Sequence, residues 1–317
     1  MTIRLEPAIA PSAWAMALAS PVTGEERSAS AALPGGGGMT VSTVGYAASV
    51  AKQVVGVLAA RSVLDRRLDV ESPVRSVLPD LPSWLDPVRV RHLLAHTAAL
   101  PQPEALAGVL GRPGDLAGWS TLANADVRTA LHGVPGPLGP PGRAHSYDNT
   151  GYVLLAEVVA ATDGRPIEVL AAELFAATGM SSTRLGGERP VLLPGEVPPP
   201  RTVGDGGLWT TADDLLRWLR SLNGDAFGPE VGALIATPWR LDDGTAVDYA
   251  WGIGPRSAPG GTTAFLHGGS WPGWAAMTAR NPDVGTAVAV LAVAEDAVAV
   301  QVAAVEVHDR LQAAVRS

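Results

Sequence analysis

The hydrophobic pattern changes period twice along the chain. Near the N-terminus, Trp14-Ala15-Met16-Ala17-Leu18-Ala19 forms a short apolar run, and Pro21 to Glu26 reads as a turn. Arg27 to Leu33 and Met39 to Tyr46 then alternate polar with apolar positions, the period of a half-buried strand. From Ser49 the period lengthens. Val50, Val54, Val57, Leu58 and Val63-Leu64 recur at helical spacing, closed by Asp65-Arg66-Arg67. Arg89 to His96 predicts a second, short helix, broken by Thr97 to Pro101. Residues 101–146 are rich in Pro and Gly and read as loop. Gly151 to Thr162 and Pro166 to Thr178 predict helices ending at Asp163-Gly164 and Gly179, and residues 186–206 read as a connection between subdomains. Thr210-Thr211-Ala212-Asp213 caps a helix through Leu222, stopped at Asn223-Gly224. Strands return at Val247–Ile253, Thr262–His267, Ala275–Arg280 and Thr286–Ala294, and a last helix runs from Val298 to about Ala314. Strands at both ends and helices between them predict an α/β sheet domain built from both termini, with a helical domain inserted. No internal repeat interrupts this plan.

Composition narrows the class. A chain of 317 residues that is 47% hydrophobic and only 17% charged has ample length for a buried core and is too apolar for disorder. The longest aliphatic run, Thr286 to Ala294, ends at Glu295-Asp296, far short of the roughly 18 residues of a membrane span. Trp14 to Ala19 ends in Ala-Leu-Ala like a leader cleavage site, but Glu6, Pro7 and Pro11 interrupt the required apolar region. The expectation is a cytoplasmic protein. With no cysteine there is no disulfide, iron–sulfur cluster or thiol nucleophile. A net charge of −8 gives no general attraction to nucleic acid. The four glycines Gly35–Gly38 lack the Gly-Lys-Ser/Thr and helix of a phosphate cradle and read as a hairpin connection.

The basic residues carry the first chemical signal. Of 23 lysines and arginines, one is lysine, Lys52. Arginine does not give up its proton in a protein, whereas lysine does when burial and neighbours favour it. Lys52 closes Ser49-Val50-Ala51-Lys52 at the start of the predicted helix. A spacing of three places both side chains on one helical face. The helix N-terminus favours negative charge developing at Ser49, and lysine is a candidate base for its hydroxyl. Tyr147-Asp148-Asn149 precedes the Gly151 helix. A phenol near an ammonium can exchange protons with it, and an asparagine can hold a substrate amide by donor and acceptor; alternatively the tripeptide is a plain turn with Asn149 as helix cap. His267-Gly268-Gly269-Ser270 lets a substrate backbone approach a strand closely, with the N–H groups of Ser270 and Ser49 as oxyanion donors; the alternative is a glycine bulge. His92-x-x-x-His96 has metal-pair spacing but no adjacent glutamate, so no metal is expected. Trp209 and Trp271, with Trp274 nearby, line an acyl or aromatic pocket or pack the core. Trp119 stands in the Pro/Gly-rich loop that roofs the cleft.

The order Ser49-x-x-Lys52, Tyr147-x-Asn149, His267-x-Gly269 resembles the serine β-lactamase and penicillin-binding-protein superfamily. It is most similar to the branch of class C β-lactamases, DD-peptidases, D-aminopeptidases and related esterases. Val90 to Pro101, Tyr147 to Glu157, Gly179 to Thr183, Gly206 to Leu215 and Tyr249 to Gly254 are also similar to that branch. The resemblance implies an α+β fold, an antiparallel sheet flanked by helices with an inserted helical domain. It implies a sheet domain from residues 1–48 plus 205–317, a helical domain from 49–204, and an active site between them. It implies Ser49 as the acylated nucleophile and Lys52 with Tyr147 for the proton work. Asn149 would hold substrate and Lys52, His267 to Gly269 would line the substrate, and Ser49 and Ser270 would donate to the oxyanion. No cofactor is implied.

Two departures change the expected substrate. Asp148 stands where serine or alanine is usual, and an inward carboxylate would raise the lysine pKa. His267 replaces the lysine of typical β-lactamases, so a fixed charge for the β-lactam carboxylate is missing. β-Lactamase activity therefore ranks below esterase or peptidase activity. The expected partner is a small-molecule ester, amide or D-peptide-like substrate, with neither nucleic acid nor membrane involved. The expected activity is hydrolysis through an acyl-enzyme on Ser49. The alternatives are an acyltransferase or peptide-cyclising enzyme with the same intermediate, and a non-catalytic binding protein. Replacing Lys52 by Arg is expected to be nearly as damaging as replacing it by Ala, because arginine keeps the charge and cannot act as a base; ester turnover by Lys52→Arg and Lys52→Ala checks this.

Overall fold

The computed structural model describes residues 13–30, 38–187, 197–224 and 226–317. The expectations for the leader-like residues before Ala13, for 31–33, for Gly35–Gly37 and for 188–196 of the inter-subdomain connection lie outside them. The fold is α+β. Strands β1 (Ala13–Ser20), β2 (Gly24–Ser30), β6 (Gly254–Ala258), β7 (Thr262–Trp271), β8 (Gly273–Asn281) and β9 (Thr286–Ala294) form one antiparallel sheet ordered β2-β1-β9-β8-β7-β6. Strands β3 (Gly45–Ala48), β5 (Leu208–Thr210) and β4 (Arg184–Leu185) form a small second sheet, in that order. The helices are α1 (Ala51–Leu64), α2 (Val74–Val77), α3 (Val90–Leu94), α4 (Pro103–Val109), α5 (Leu116–Trp119), α6 (Asn124–Leu131), α7 (Asn149–Asp163), α8 (Ile167–Thr178), α9 (Ala212–Asn223), α10 (Pro229–Ile235) and α11 (Ala297–Arg316).

Alternation along the central strands sorts side chains between two cores. In β1, Trp14, Met16 and Leu18 face a layer built with Val300, Ala304, Val307 and Leu311 of α11. Ala13, Ala15 and Ala17 face the opposite side and join the main core. Strand β9 divides likewise, Val288 and Val290 toward α11, Ala289 and Leu291 away from it. Both faces are therefore covered, which is why these strands read as continuous apolar runs. The alanines matter for the second face: their small side chains let β3 and α9 pack closely against the sheet. Among the described residues no helix is long and apolar enough to cross a membrane.

Four segments depart from the pattern. Val247–Ile253 is not a strand. Val247 N–H donates to Trp239 O, Ala250 N–H donates to Ile253 O, and Gly252 takes φ +84° where it meets the backbone of Lys52. The extended chain begins only at Gly254, in β6. Residues 101–146 are not continuous loop but contain α4, α5 and α6. Pro103 occupies the first turn of α4, where its missing N–H costs nothing, and Asp115 caps α5 through Ala117 N–H at 2.9 Å and Gly118 N–H at 3.1 Å. Of Met39 to Tyr46 only the end is strand, because Thr40 to Thr43 closes a turn. Helix α10, also begun by a proline, was not signalled by the pattern.

Gly56 shows what fixes α1. Alanine there should gain about 1 kcal/mol of helix propensity. A Cβ at Gly56, however, would lie 2.0 Å from the backbone oxygen of Trp251, which has no flexible end to move. Gly56→Ala is therefore expected to be destabilising, by about 1–3 kcal/mol, measured by chemical denaturation.

Candidate active site

Ser49 lies on the short link between β3 and α1. The pairing of β3 with β5 shifts register between Tyr46 and Ala48, and Ala48 takes φ +45°, a left-handed conformation uncommon for a residue with a side chain. This turn brings the chain into α1 with Ser49 at the helix entrance, where free N–H groups favour negative charge. Strand β7 comes up beside it. A Cβ on Gly269 would sit 2.0 Å from Ala47 O, so glycine is required for the approach that sets Ser270 next to the Ser49 segment.

One turn on from Ser49, at the start of α1, Lys52 is completely buried. Its Nζ donates to Asn149 Oδ1 at 2.8 Å, to the backbone oxygen of Asp205 at 2.7 Å and to Ser49 Oγ at 3.2 Å. Two of these partners are carbonyl oxygens, which only accept. The third, a hydroxyl, can also donate. A neutral amine held by the two carbonyls through its two N–H bonds therefore directs its lone pair at Ser49 Oγ. The ring of Tyr147 lies 4.9 Å from Nζ and that of Tyr152 5.6 Å, both with their negative faces toward the cation.

The entry to α7 presents the second group of residues. Asp148, not Asn149, is the cap: its Oδ1 accepts the N–H of Gly151. Asn149 is thereby free to face Lys52. Gln102 braces this segment, donating from Nε2 to Tyr147 O at 2.7 Å and accepting the Asn149 N–H at 3.2 Å. Tyr147 is partly exposed and stacks 4.3 Å from the ring of His96. His96 accepts the Asp148 N–H on Nδ1 at 3.2 Å, which fixes its remaining proton on Nε2, and burial holds its pKa well below the usual value. His92 accepts the Arg89 N–H on Nδ1 at 3.1 Å. Both members of the His92/His96 pair thus serve backbone N–H groups. Among the described residues no group of three or more histidine and acidic side chains is arranged to hold a metal.

His267 stands on β7, its ring 6.3 Å from Tyr147. Its Nδ1 lies 2.7 Å from Gly268 O, so Nδ1 carries the proton, and Nε2 accepts the Tyr249 hydroxyl at 3.0 Å. Burial and the Lys52 charge push its pKa down to about 3. The imidazole is neutral across the physiological range. A buried relay joins this strand to α1: Trp218 Nε1 donates to Gln53 Oε1, Gln53 Nε2 to Thr278 Oγ1, and Thr278 Oγ1 to His267 O, at 3.0, 2.7 and 2.9 Å. From α11, Gln301 donates to Gly269 O at 3.1 Å, behind the Gly268-Gly269 pair.

The structure thus brings together Ser49, Lys52, Tyr147 and Asn149, with His267, Gly268, Gly269 and the exposed Ser270 on the facing strand. Trp271 packs edge-on against Trp119 at 4.9 Å and donates to Val197 O at 2.8 Å, at the end of β7. Trp209 goes to the core instead: it is 2% exposed, tilted against Tyr46 at 5.1 Å and edge-on to Trp274 at 6.5 Å. Gln102, Asp205, Tyr249 and Gln53 escaped the sequence reading. Asp205 acts through a backbone oxygen, which leaves no side-chain signature, whereas Tyr249 lies in a stretch already singled out.

A family model for Beta-lactamase matches residues 12–310, and the chain belongs to the beta-lactamase family. It is 28% identical over 255 residues to a penicillin-binding protein of Bacillus subtilis (strain 168), covering 68% of this chain and 53% of that protein. It is 25% identical over 199 residues to a D-aminopeptidase of Gluconobacter oxydans (strain 621H), covering 58% and 37%. The chain thus spans about half or less of the length of these curated relatives. The solved structure of D-amino acid amidase from Ochrobactrum anthropi SV3 complexed with D-phenylalanine shares the fold, with a TM-score of 0.76 and 21% identity over 98% of this chain and 95% of that one.

Gln102 supplies the test of this geometry. Gln102→Ala removes its three bonds to the Tyr147–Asn149 segment, and labelling of Ser49 by a fluorophosphonate is expected to slow by about 10- to 100-fold with the far-UV circular dichroism unchanged.

Proposed function

We propose that this protein is a serine hydrolase that cleaves an amide or ester bond of a small molecule through an acyl-enzyme on Ser49. The observation that carries this reading is the Lys52 amine, buried, held by two carbonyl oxygens and facing Ser49 Oγ. In the forward step Lys52 takes the hydroxyl proton as Ser49 Oγ attacks the substrate carbonyl. The oxyanion forms against the N–H groups of Ser49 and Ser270. The proton passes through Lys52, with Tyr147, whose ring lies 4.9 Å from Nζ, as the second candidate carrier, to the leaving nitrogen or oxygen, and its bond to the acyl carbon breaks. Water then attacks the acyl ester, gives its proton back along the same groups, and restores the Ser49 hydroxyl.

The substrate class follows from His267. On this strand a free substrate carboxylate would meet no cation, since His267 is neutral with both nitrogens engaged and β7 holds no lysine or arginine. Lys52, the chain's one lysine, has its three donors occupied. A carboxylate set against the neutral imidazole would lose its hydration without gaining a charge partner. An amide or ester whose leaving group is uncharged fits instead. The names of the similar D-aminopeptidase and D-amino acid amidase support D-amino-acid amides as the substrate class. The Trp119–Trp271 pair offers an apolar edge for an aromatic side chain.

Comparing D-phenylalanine amide with a peptide ending in D-Ala-D-Ala tests the assignment. The amide is expected to be turned over with kcat/KM at least about 100-fold higher, with an intact-mass adduct on Ser49 that disappears in Ser49→Ala. Preferential cleavage of the carboxylate-terminated peptide would contradict it.

A further inference from the structure

Asp148 is a buried acid that the chemistry above does not use. It is 2% exposed, and its Oδ1 caps α7 through Gly151 N–H. Its Oδ2 is buried without a hydrogen-bond partner among the described residues. A helix cap needs one acceptor oxygen, and serine, threonine or asparagine supplies it without burying a charge. The second carboxyl oxygen therefore has a cost that capping does not explain.

The surroundings restrict what that carboxyl can interact with. Lys52 on α1 acts on it electrostatically. Tyr152 on its own helix and Tyr249 before β6 also feel its charge, but burial raises both phenols, so they stay neutral. His96, bonded to the Asp148 N–H, is held neutral by burial, and Tyr147 adjoins it in the chain. Across Lys52 stands a second buried acid, Asp205, whose Oδ2 accepts from Thr202 Oγ1 at 3.1 Å and whose Oδ1 is also unpartnered. Burial raises its pKa, against the Lys52 charge. Nζ of Lys52 bonds Asn149, next to Asp148 in the chain, and the backbone oxygen of Asp205, so the amine lies between two water-excluded carboxyls without bonding either.

We propose that Asp148 is a positioning residue whose buried carboxyl, acting through Lys52, sets the pH range over which Ser49 becomes nucleophilic. The inference rests on the acyl-enzyme reading given above. When Asp148 is ionised, its negative charge favours the ammonium form of Lys52 and delays release of the proton that must leave before the amine can act as base. When Asp148 is neutral, that restraint is absent. Burial pushes its carboxyl up to about 7, despite the opposing Gly151 hydrogen bond and Lys52 charge, so its ionisation falls in the working range. The two groups then titrate as a coupled pair.

The experiment is the pH dependence of Ser49 labelling by a fluorophosphonate, in wild type, Asp148→Asn and Asp148→Ser. Both variants keep an acceptor for Gly151 N–H and remove the charge. The acid limb of the labelling rate is expected to move down by about one pH unit in both, so that on that limb each variant labels about tenfold faster than wild type. An unchanged limb, with or without a lower plateau, overturns the proposal, as does loss of fold in both variants by circular dichroism. Wild-type protein that is not labelled on Ser49 at any pH contradicts the hydrolase reading itself, and this inference with it.

Discussion

The site is organised around one ammonium taken out of water. An isolated charge of this kind is costly in a protein interior unless it is fully hydrogen-bonded. Three oxygens meet that demand for Lys52, and two of them are carbonyls. The requirement to satisfy the amine therefore also aims it. With Asn149 and Asp205 fixed, Ser49 Oγ is the remaining partner and the one through which a proton can move. Arginine would not fit this arrangement, since a planar guanidinium needs more acceptors in other directions and keeps its proton.

Much of the surrounding structure serves to hold those acceptors still. Gly207 N–H donates to the Tyr46 hydroxyl at 3.1 Å, anchoring the loop that presents the Asp205 oxygen to β3, the strand leading into Ser49. Gln102 and the Asp148 cap fix Asn149 from the other side. Gly252 against the Lys52 backbone and Gly56 against the Trp251 oxygen seat α1 on the 249–253 turn at distances no side chain would allow. The relay from Trp218 through Gln53 and Thr278 then locks α1 to His267. The Ser49–Lys52 pair, the Tyr147–Asn149 segment and strand β7 come from distant parts of the chain, and buried hydrogen bonds rather than loops join them.

The legible parts of the sequence were those whose signal is local. Lys52 stood out because every other basic residue is arginine, and the long helices and β1, β8 and β9 followed from periodicity and caps. Helices α4 and α10 were missed because a proline at a helix start looks like a breaker until the first turn is seen around it. The supposed strand 247–253 has the right residue types, but Gly252 must turn left-handed to clear Lys52, a constraint imposed by a helix some two hundred positions earlier in the chain. Trp209 and Trp271 looked equivalent, yet one pairs with Tyr46 inside the small sheet and the other ends β7 beside Trp119. The neutral state of His267 comes from burial and the Lys52 charge, and its tautomer from Tyr249 and Gly268, none of which spacing reveals.

The single lysine permits a direct measurement of the central contact. Protein labelled with ¹⁵N at the lysine Nζ gives one side-chain resonance, that of Lys52. If the amine is buried against Ser49, its protons exchange slowly and the resonance shifts both on phosphonylation of Ser49 and in Ser49→Ala. A rapidly exchanging resonance that neither change moves would contradict the account.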